Sequence, residues 1–216
     1  VAEREHTRLF VLGAGGYGKV VADTAVSAGW RSVRLLDDAI AAGSSVGPWT
    51  IDGPFEHALR LDATDAAVVA IGDNALRLAW IDRIERAGVG VATIIAPSAV
   101  VSAHARVGVG TVVVAGAIVA VDAAIGRACI INTGCSIDHD CVIGDGVHIS
   151  PGARLGGGVH IGARAWVGIG ASIRHGIRIG ADATIGAGAA VVQDVELGTV
   201  VGGVPARPLR SSTVLR

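Results

Sequence analysis

A six-residue rhythm governs the second half of this chain. Counting in steps of six from Ile95 to Val191, all seventeen positions are Ile, Val or Leu. Four places after each comes a second column of mostly small side chains, Ala99, Ala105, Thr111 and Ala117 among them, with Val147, Val159, Ile177 and Val195 as larger members. A period of six fits neither a 3.6-residue helix nor an alternating strand. Short strands separated by tight corners would return one aliphatic to a common axis at each step. Such fixed periods mark a solenoid, and no insertion interrupts the count.

This pattern resembles the hexapeptide-repeat proteins. The resemblance implies a left-handed parallel β-helix of triangular cross-section, with three hexapeptides per coil. Positions eighteen apart then stack about one strand spacing, ~4.8 Å, from each other. His139, Gly157 and His175 therefore share one outward column. Cys129, Cys135 and Cys141 all fall in the small-residue column, so they read as core hydrophobes rather than as a disulfide or metal site.

Two modest domains fit in 216 residues, and a 51% hydrophobic content supports a substantial core. Aromatic residues make up only 3% and glycines number 32, which suits a narrow prism filled by Val, Ile and Ala. A net charge of −1 gives no electrostatic reason to expect nucleic acid or an anionic membrane. With no long apolar run and no cationic leader, the expectation is a cytoplasmic, unexported protein, and the lack of Met points to a trimmed or recoded start.

Ahead of the repeat, a polar stretch (1–7) precedes a buried strand (8–12), a glycine loop Gly13-Ala14-Gly15-Gly16-Tyr17-Gly18 and a helix (19–28). Strands at 32–36, ending in Asp37-Asp38, and at 66–71, ending in Gly72-Asp73-Asn74, lead to a helix at 75–86 and a last strand at 90–95. Residues 41–54 read as a turn-rich connection without regular structure. The order βαβ(α)βαβ argues a small parallel sheet with helices on its faces, whose strand-end loops are where ligands bind. The loop matches G-x-G-x-x-G, and Asp37 lies 22 residues after Gly15, near the spacing of a ribose-binding acid. A nicotinamide cofactor would fit that loop, but there is room for only one mononucleotide half and no dehydrogenase substrate domain follows. A tight turn without ligand is the plainer alternative. Beyond Val191 the repeat breaks at Gln193-Asp194-Val195-Glu196, and the segment running to Arg207 is placed to cover the last coil.

In Asn132-Thr133-Gly134-Cys135-Ser136-Ile137-Asp138-His139-Asp140 one imidazole lies between two carboxylates, read here as lying on a strand. A carboxylate that accepts one ring N–H fixes the tautomer and leaves the other nitrogen as a base near neutral pH. That arrangement can help an amine or hydroxyl attack an activated acyl group without a metal. Spacing alone leaves open whether Asp138 or Asp140 is the orienting acid.

The glycine loop, the Asp-Asp strand end, Ile71-Gly72-Asp73-Asn74-x-x-Arg77, the unbroken repeat and the Asn132-to-Asp140 motif together look like the sialic acid O-acetyltransferase-like branch. Its members include bacterial nucleotide-sugar N-acetyltransferases of the bacillosamine and perosamine pathways. The likeness covers nearly the whole chain. It implies a Rossmann-like nucleotide-sugar-binding domain over residues 1–93, a left-handed β-helix acyltransferase domain over 94–203 and a C-terminal tail over 204–216. It implies acetyl-CoA as co-substrate, no metal, His139 as general base and Asp140 as its partner, where relatives often carry Glu. His148, Gly157, Ile169, Ala187 and Arg207 are implied for the coenzyme. Gly15, Gly16, Tyr17, Asp37, Asp38 and Gly72 are implied for the nucleotide sugar, Tyr17 standing where many relatives have His.

The family forms homotrimers with sites between prisms. Apolar outward positions in the early coils (Val100, Val109, Val112, Ile118, Val121, Ile130) agree, since they call for cover from other subunits or from the N-terminal domain. The rival readings are a sugar O-acetyltransferase, a non-catalytic nucleotide-sugar-binding protein and a metal-dependent hydratase. The last requires two His five residues apart, and no pair here has that spacing.

Overall fold

A computed structural model describes residues 8–209. The stretch 1–7 and the end of the tail beyond residue 209 lie outside the described residues.

The N-terminal unit is built from β1 (Arg8–Leu12), α1 (Gly16–Ser27), β2 (Val33–Leu36), β3 (Ser45–Val46), β4 (Trp49–Gly53), β5 (Asp65–Val69), α2 (Asn74–Arg86) and β6 (Gly90–Val91). The strands lie in the order β3-β4-β2-β1-β5-β6, all parallel except β3. β1 is buried on both faces, as an unbroken apolar run should be. The stretch expected to be an irregular connection instead holds the β3–β4 hairpin, with β4 extending the sheet beside β2. Gly47-Pro48 supplies the turn between Ser45-Val46 and Trp49-Thr50-Ile51, a signal masked by the surrounding small and polar residues. The expected final strand at 90–95 is divided. Gly90–Val91 pairs with β5, while Ile94–Ile95 pairs with Val112–Val113 in the next unit.

From Ile94 the chain forms a three-faced parallel β-helix of two-residue strands, each paired with the strand eighteen residues on, as Val112 is with Ile130 and Ile130 with His148. The first face runs from Ile94–Ile95 up to Val200–Gly202, the second from Val100–Val101 to Ala190–Val191 and the third from Arg106–Val107 to Arg178–Ile179. The six-step aliphatics and the small column fill one continuous core from Val113 to Val201. Ile95, by contrast, is 37% exposed, because no coil lies beneath it. The last coil is two residues short: Ile179 pairs with Val195 and Ile185 with Val201, sixteen residues on in each case. Arg207–Pro208 then folds back antiparallel over Val200–Gly202.

The cysteines are core hydrophobes. All three are buried, and the Cys129 and Cys141 thiols donate to the carbonyls of Gly144 and Gly156. Burial pushes Cys129 up to about 11 and Cys135 up to about 12, far from a reactive thiolate.

The N-terminal unit sits on the first face. Val112 and Val114 pack into a core with Leu9, Val11 and Leu35, and Ile130 is equally buried. Of the other apolar outward residues, Val100, Ile118 and Val121 stay exposed within a single chain. The seam is pinned by Arg77, the largest fully buried side chain. Its Nε donates to Ala128 O at 2.7 Å, Nη2 to Gly146 O at 2.8 Å and Nη1 to Ile71 O at 2.8 Å. Asn74 accepts from Arg77 Nη2 at 2.7 Å and donates to Arg164 O at 2.8 Å, while Asp73 caps α2 through Leu76 N. The Gly-Asp-Asn-x-x-Arg motif is therefore a clamp between the two units.

Candidate active site

His139 lies in a corner rather than on a strand, between Ser136–Ile137 of the second face and Val142–Ile143 of the third. Asp140 takes the left-handed conformation, φ 58°. Its column at this corner is Asp122, Asp140, Gly158 and Gly176, all at positive φ, a conformation that glycine and short Asp or Asn tolerate best. The turn swings the Asp140 carboxylate onto the ring: His139 Nδ1 and Asp140 Oδ2 are 2.7 Å apart. Asp138 takes a different part, accepting from the His139 backbone N–H at 2.8 Å. The imidazole is held above the ordinary His range, first by the Asp140 hydrogen bond and then by the Asp138 charge.

The opposite edge of the ring leans up one coil. A Cβ at Gly157 would stand 2.5 Å from both Cε1 and Nε2 of His139, so only glycine leaves room for this ring position. Among the described residues the Gly157 N–H has no hydrogen-bond partner, while its carbonyl accepts from Gly176 N. Gly156-Gly157-Gly158 thus makes a corner bare of side chains directly above His139. Gly157→Ala is expected to displace the imidazole while leaving the coil intact, lowering kcat by about tenfold or more if a proton crosses at Nε2. Unchanged turnover in the Ala variant would show that the ring position is irrelevant.

His148 is elsewhere. It projects from the first face, the side of the prism opposite the His139 corner, and its ring stacks on Trp166 with centroids 5.7 Å apart and planes 5° off parallel. Asn132 Oδ1 accepts from Thr133 N at 2.8 Å, which orients the amide so that its Nδ2 donates to His148 Nε2 at 3.2 Å. Burial, and after it the Arg77 charge, lowers His148 to about 4. The ring is neutral near pH 7, with its proton on Nδ1. Asn132, Trp166 and Ser150, which accepts from Trp166 Nε1 at 2.8 Å, were not singled out as site residues; Trp166, one coil above His148 in an aromatic-poor repeat, was the legible signal.

Ile169 and Ala187 continue a third set, the corner joining the first face to the second. Ala115, Thr133, Pro151 and Ile169 stack there, each carbonyl receiving a backbone N–H from the coil above. Ile169 is 62% exposed and Ala187 is exposed too. Arg207 is exposed at the top, where Ala206 N meets Ala190 O. Lower on this corner, Ala115 and Thr133 join Gly16, Lys19, Val20, Asp23, Thr24 and Trp49 around an open recess.

The glycine loop divides by role. Gly13 has φ 107°, with Ala70 O 2.8 Å from where its Cβ would be, and a Cβ at Gly18 would collide with the Gly13 carbonyl, so both are required for packing. Gly15 and Gly16 are open on the side where a Cβ would project, and α1 begins there with no side-chain cap. Asp37 braces the loop: Oδ2 accepts from Ala14 N and Oδ1 from Ala39 N, both at 2.9 Å, and each oxygen keeps a second lone pair for a ligand hydroxyl. Asp38 accepts from Phe55 N at 2.8 Å. Gly72 is open where a Cβ would project, and its carbonyl accepts from Arg77 at 3.3 Å. The Tyr17 hydroxyl is buried with no hydrogen-bond partner among the described residues, and burial raises it above its usual range.

One chain therefore brings His139, Asp140 and Gly157 together, and separately gathers the glycine loop, His148, Ile169, Ala187 and Arg207 about the first face and its edge. It does not join the two sets. No group of three His, Cys, Asp or Glu side chains is arranged as metal ligands among the described residues, and no helix among them is long and apolar enough to cross a membrane.

Residues 8–84 match the PglD N-terminal domain, and residues 122–157 and 158–193 match the bacterial transferase hexapeptide (six repeats). No curated protein matches the sequence. Among solved structures, the acetyltransferase domain of PglB from Neisseria gonorrhoeae FA1090, in complex with acetyl coenzyme A, is 37% identical with a TM-score of 0.91, covering 94% of this chain and 100% of that one. PerB from Caulobacter crescentus, in complex with CoA and GDP-perosamine, is 36% identical with a TM-score of 0.88, covering 94% and 97%. WeeI from Acinetobacter baumannii AYE is 28% identical with a TM-score of 0.84, covering 94% and 100%. Sharing both modules and more than a third of its residues with such enzymes over nearly its full length, the chain belongs to the bacterial nucleotide-sugar N-acetyltransferase family of hexapeptide-repeat acyltransferases.

Proposed function

We propose that this enzyme moves an acetyl group from acetyl-CoA to the amine of a nucleotide-linked aminosugar, with His139 as general base. The observation that carries this reading is the His139–Asp140 pair, 2.7 Å apart, set against the unpartnered Gly157 N–H. The neutral ring takes the proton from the amine at Nε2 as the nitrogen attacks the thioester carbonyl. Asp140 accepts a hydrogen bond from Nδ1–H, which stays on the ring, and stabilises the imidazolium that forms. Gly157 N–H donates to the oxygen that gains charge. A C–N bond forms, the C–S bond breaks, and the proton held by His139 passes to the departing thiolate. Acetyl coenzyme A bound to the PglB domain, and CoA with GDP-perosamine bound to PerB, support this choice of substrates.

The open N-terminus of α1 at Gly15 and Gly16, with Lys19 beside it, suits the phosphates of a nucleotide sugar. His148, Ile169, Ala187 and Arg207 would take the coenzyme, His148 offering Nδ1–H to the acetyl group. Because His148 projects from the face opposite the His139 corner, and Ile169 and Ala187 sit on a different corner, a complete site needs a neighbouring subunit. We assign a cytoplasmic homotrimer, whose packing would cover Val100, Ile118 and Val121.

The test is a thermal-shift panel of UDP-, GDP-, dTDP- and CMP-linked sugars, followed by thiol release from acetyl-CoA with each ligand that stabilises the protein. Release is expected with an amino sugar and not with its hydroxyl counterpart. Release only with the hydroxyl sugar would make the enzyme an O-acetyltransferase, and no release with any of them would overturn the reading.

A further inference from the structure

His175 has no part in the chemistry described above, yet its place in the fold is specific. Gly158 N bonds to His139 O at 2.8 Å, and Gly176 N bonds to Gly157 O at 2.9 Å, so His139, Gly157 and His175 occupy successive rungs of one corner. The His139 ring is lifted to the level of Gly157, against which Cε1 and Nε2 lean. His175 therefore stands about one strand spacing, ~4.8 Å, above the reacting nitrogen rather than the two that separate the backbones. It is exposed and has no hydrogen bond or ion pair among the described residues. Between the two imidazoles the corner is bare, Gly156-Gly157-Gly158 leaving a notch one coil high with His139 below and His175 above.

A thioester whose carbonyl lies at Nε2 and Gly157 N–H has its sulfur in that notch. Ile169, Ala187 and Arg207, assigned above to the coenzyme, all lie in later coils than Gly157, so the rest of the donor runs up along the corner. The arm of coenzyme A beyond the sulfur is a peptide-like chain carrying two amides, and such a chain rises about 3.3–3.6 Å per extended residue. Its amides therefore pass the level of His175 within one or two such units.

We infer that His175 is a coenzyme-binding residue that hydrogen-bonds the amide-bearing arm of the acyl donor. The inference rests on the proposed acetyl-CoA chemistry and adds to it one donor-binding contact. An imidazole can both donate to an amide carbonyl and accept from an amide N–H, so it suits either group of the arm. Arg174, its neighbour at the same corner, is the side chain better suited to a phosphate.

The test compares His175→Ala and His175→Gln with the parent enzyme, using acetyl-CoA and acetyl-pantetheine, which keeps the arm and lacks the nucleotide. His175→Ala is expected to raise the KM of both donors by about tenfold with kcat kept within about twofold, the scale of one hydrogen bond. His175→Gln should recover most of the loss. Calorimetric titration with CoA alone should show the same weakening without any acceptor sugar. A loss seen with acetyl-CoA but not with acetyl-pantetheine would place His175 at the nucleotide end and overturn the inference. So would a fall in kcat at constant KM, or no change at all. A parent enzyme that releases no thiol with any aminosugar nucleotide would instead sink the proposed function, which separates the two failures.

Discussion

His139→Ala is expected to lower kcat by at least about 10²-fold, the scale of a lost general base, while leaving the melting temperature close to that of the parent. The side chain is exposed at a corner and contributes no core packing, so its removal should leave the fold unchanged. Steady-state thiol release at saturating donor and acceptor checks this, and an undiminished rate would remove His139 from the mechanism. The pH profile carries the same argument. The base must be neutral to accept a proton, and Asp140 followed by Asp138 raises its affinity for one, so the acidic limb of kcat should lie above the ordinary His value. Asp140→Asn removes the larger of these causes. Its limb should move toward lower pH while the plateau falls, since a less basic ring with an unfixed tautomer is a poorer acceptor. A limb that moves upward in Asp140→Asn would contradict the assignment of that acid.

Arg77→Met should cost at least about 3 kcal/mol of stability, the sum of several buried groups left without partners. Ala128 O and Gly146 O receive hydrogen bonds from Arg77 alone among the described residues, and both carbonyls belong to the β-helix. The buried guanidinium forms no ion pair among the described residues, and desolvation lowers its affinity for the proton more than the Asp73 charge raises it. Its contribution therefore lies in geometry rather than in ion pairing: one planar fork reaches Ile71, Ala128 and Gly146 at once. Arg77→Lys cannot reproduce that spread and should recover little. Urea unfolding measures both variants, and a Met variant as stable as the parent would show that the clamp contributes nothing net.

How much of this could be read in advance depended on whether a feature repeats. The inward aliphatics recur every six residues, so the core, the burial of the three cysteines and the column of His139, Gly157 and His175 followed from counting. The β3–β4 hairpin follows no period and lies among Gly, Ser and Pro, so its two short strands were invisible beside their turn. His139 was read as a strand residue because its segment carries inward apolar residues at Ile137, Cys141 and Ile143; its corner depends on Asp140 adopting positive φ, which a non-glycine residue does not advertise. The same left-handed turn explains why Asp can serve where relatives often have Glu, since a short side chain both tolerates the conformation and reaches Nδ1. Asp37 had the spacing of a ribose ligand, but spacing cannot show that its oxygens also accept from the Ala14 and Ala39 N–H groups and so brace the glycine loop. Arg77 was visible only as a member of the Gly-Asp-Asn-x-x-Arg motif, and sequence does not reveal which carbonyls lack donors.

The short final coil bears on where this chain can change length. From Ile95 to Val191 each rung sits on the one beneath, so gaining or losing a residue between His139 and His175 would turn everything above it out of line. The two missing residues fall between Val191 and Val195, after the rows that carry His139, Gly157, His175, Ile169 and Ala187. Indels should therefore survive at the rim and abolish turnover below it.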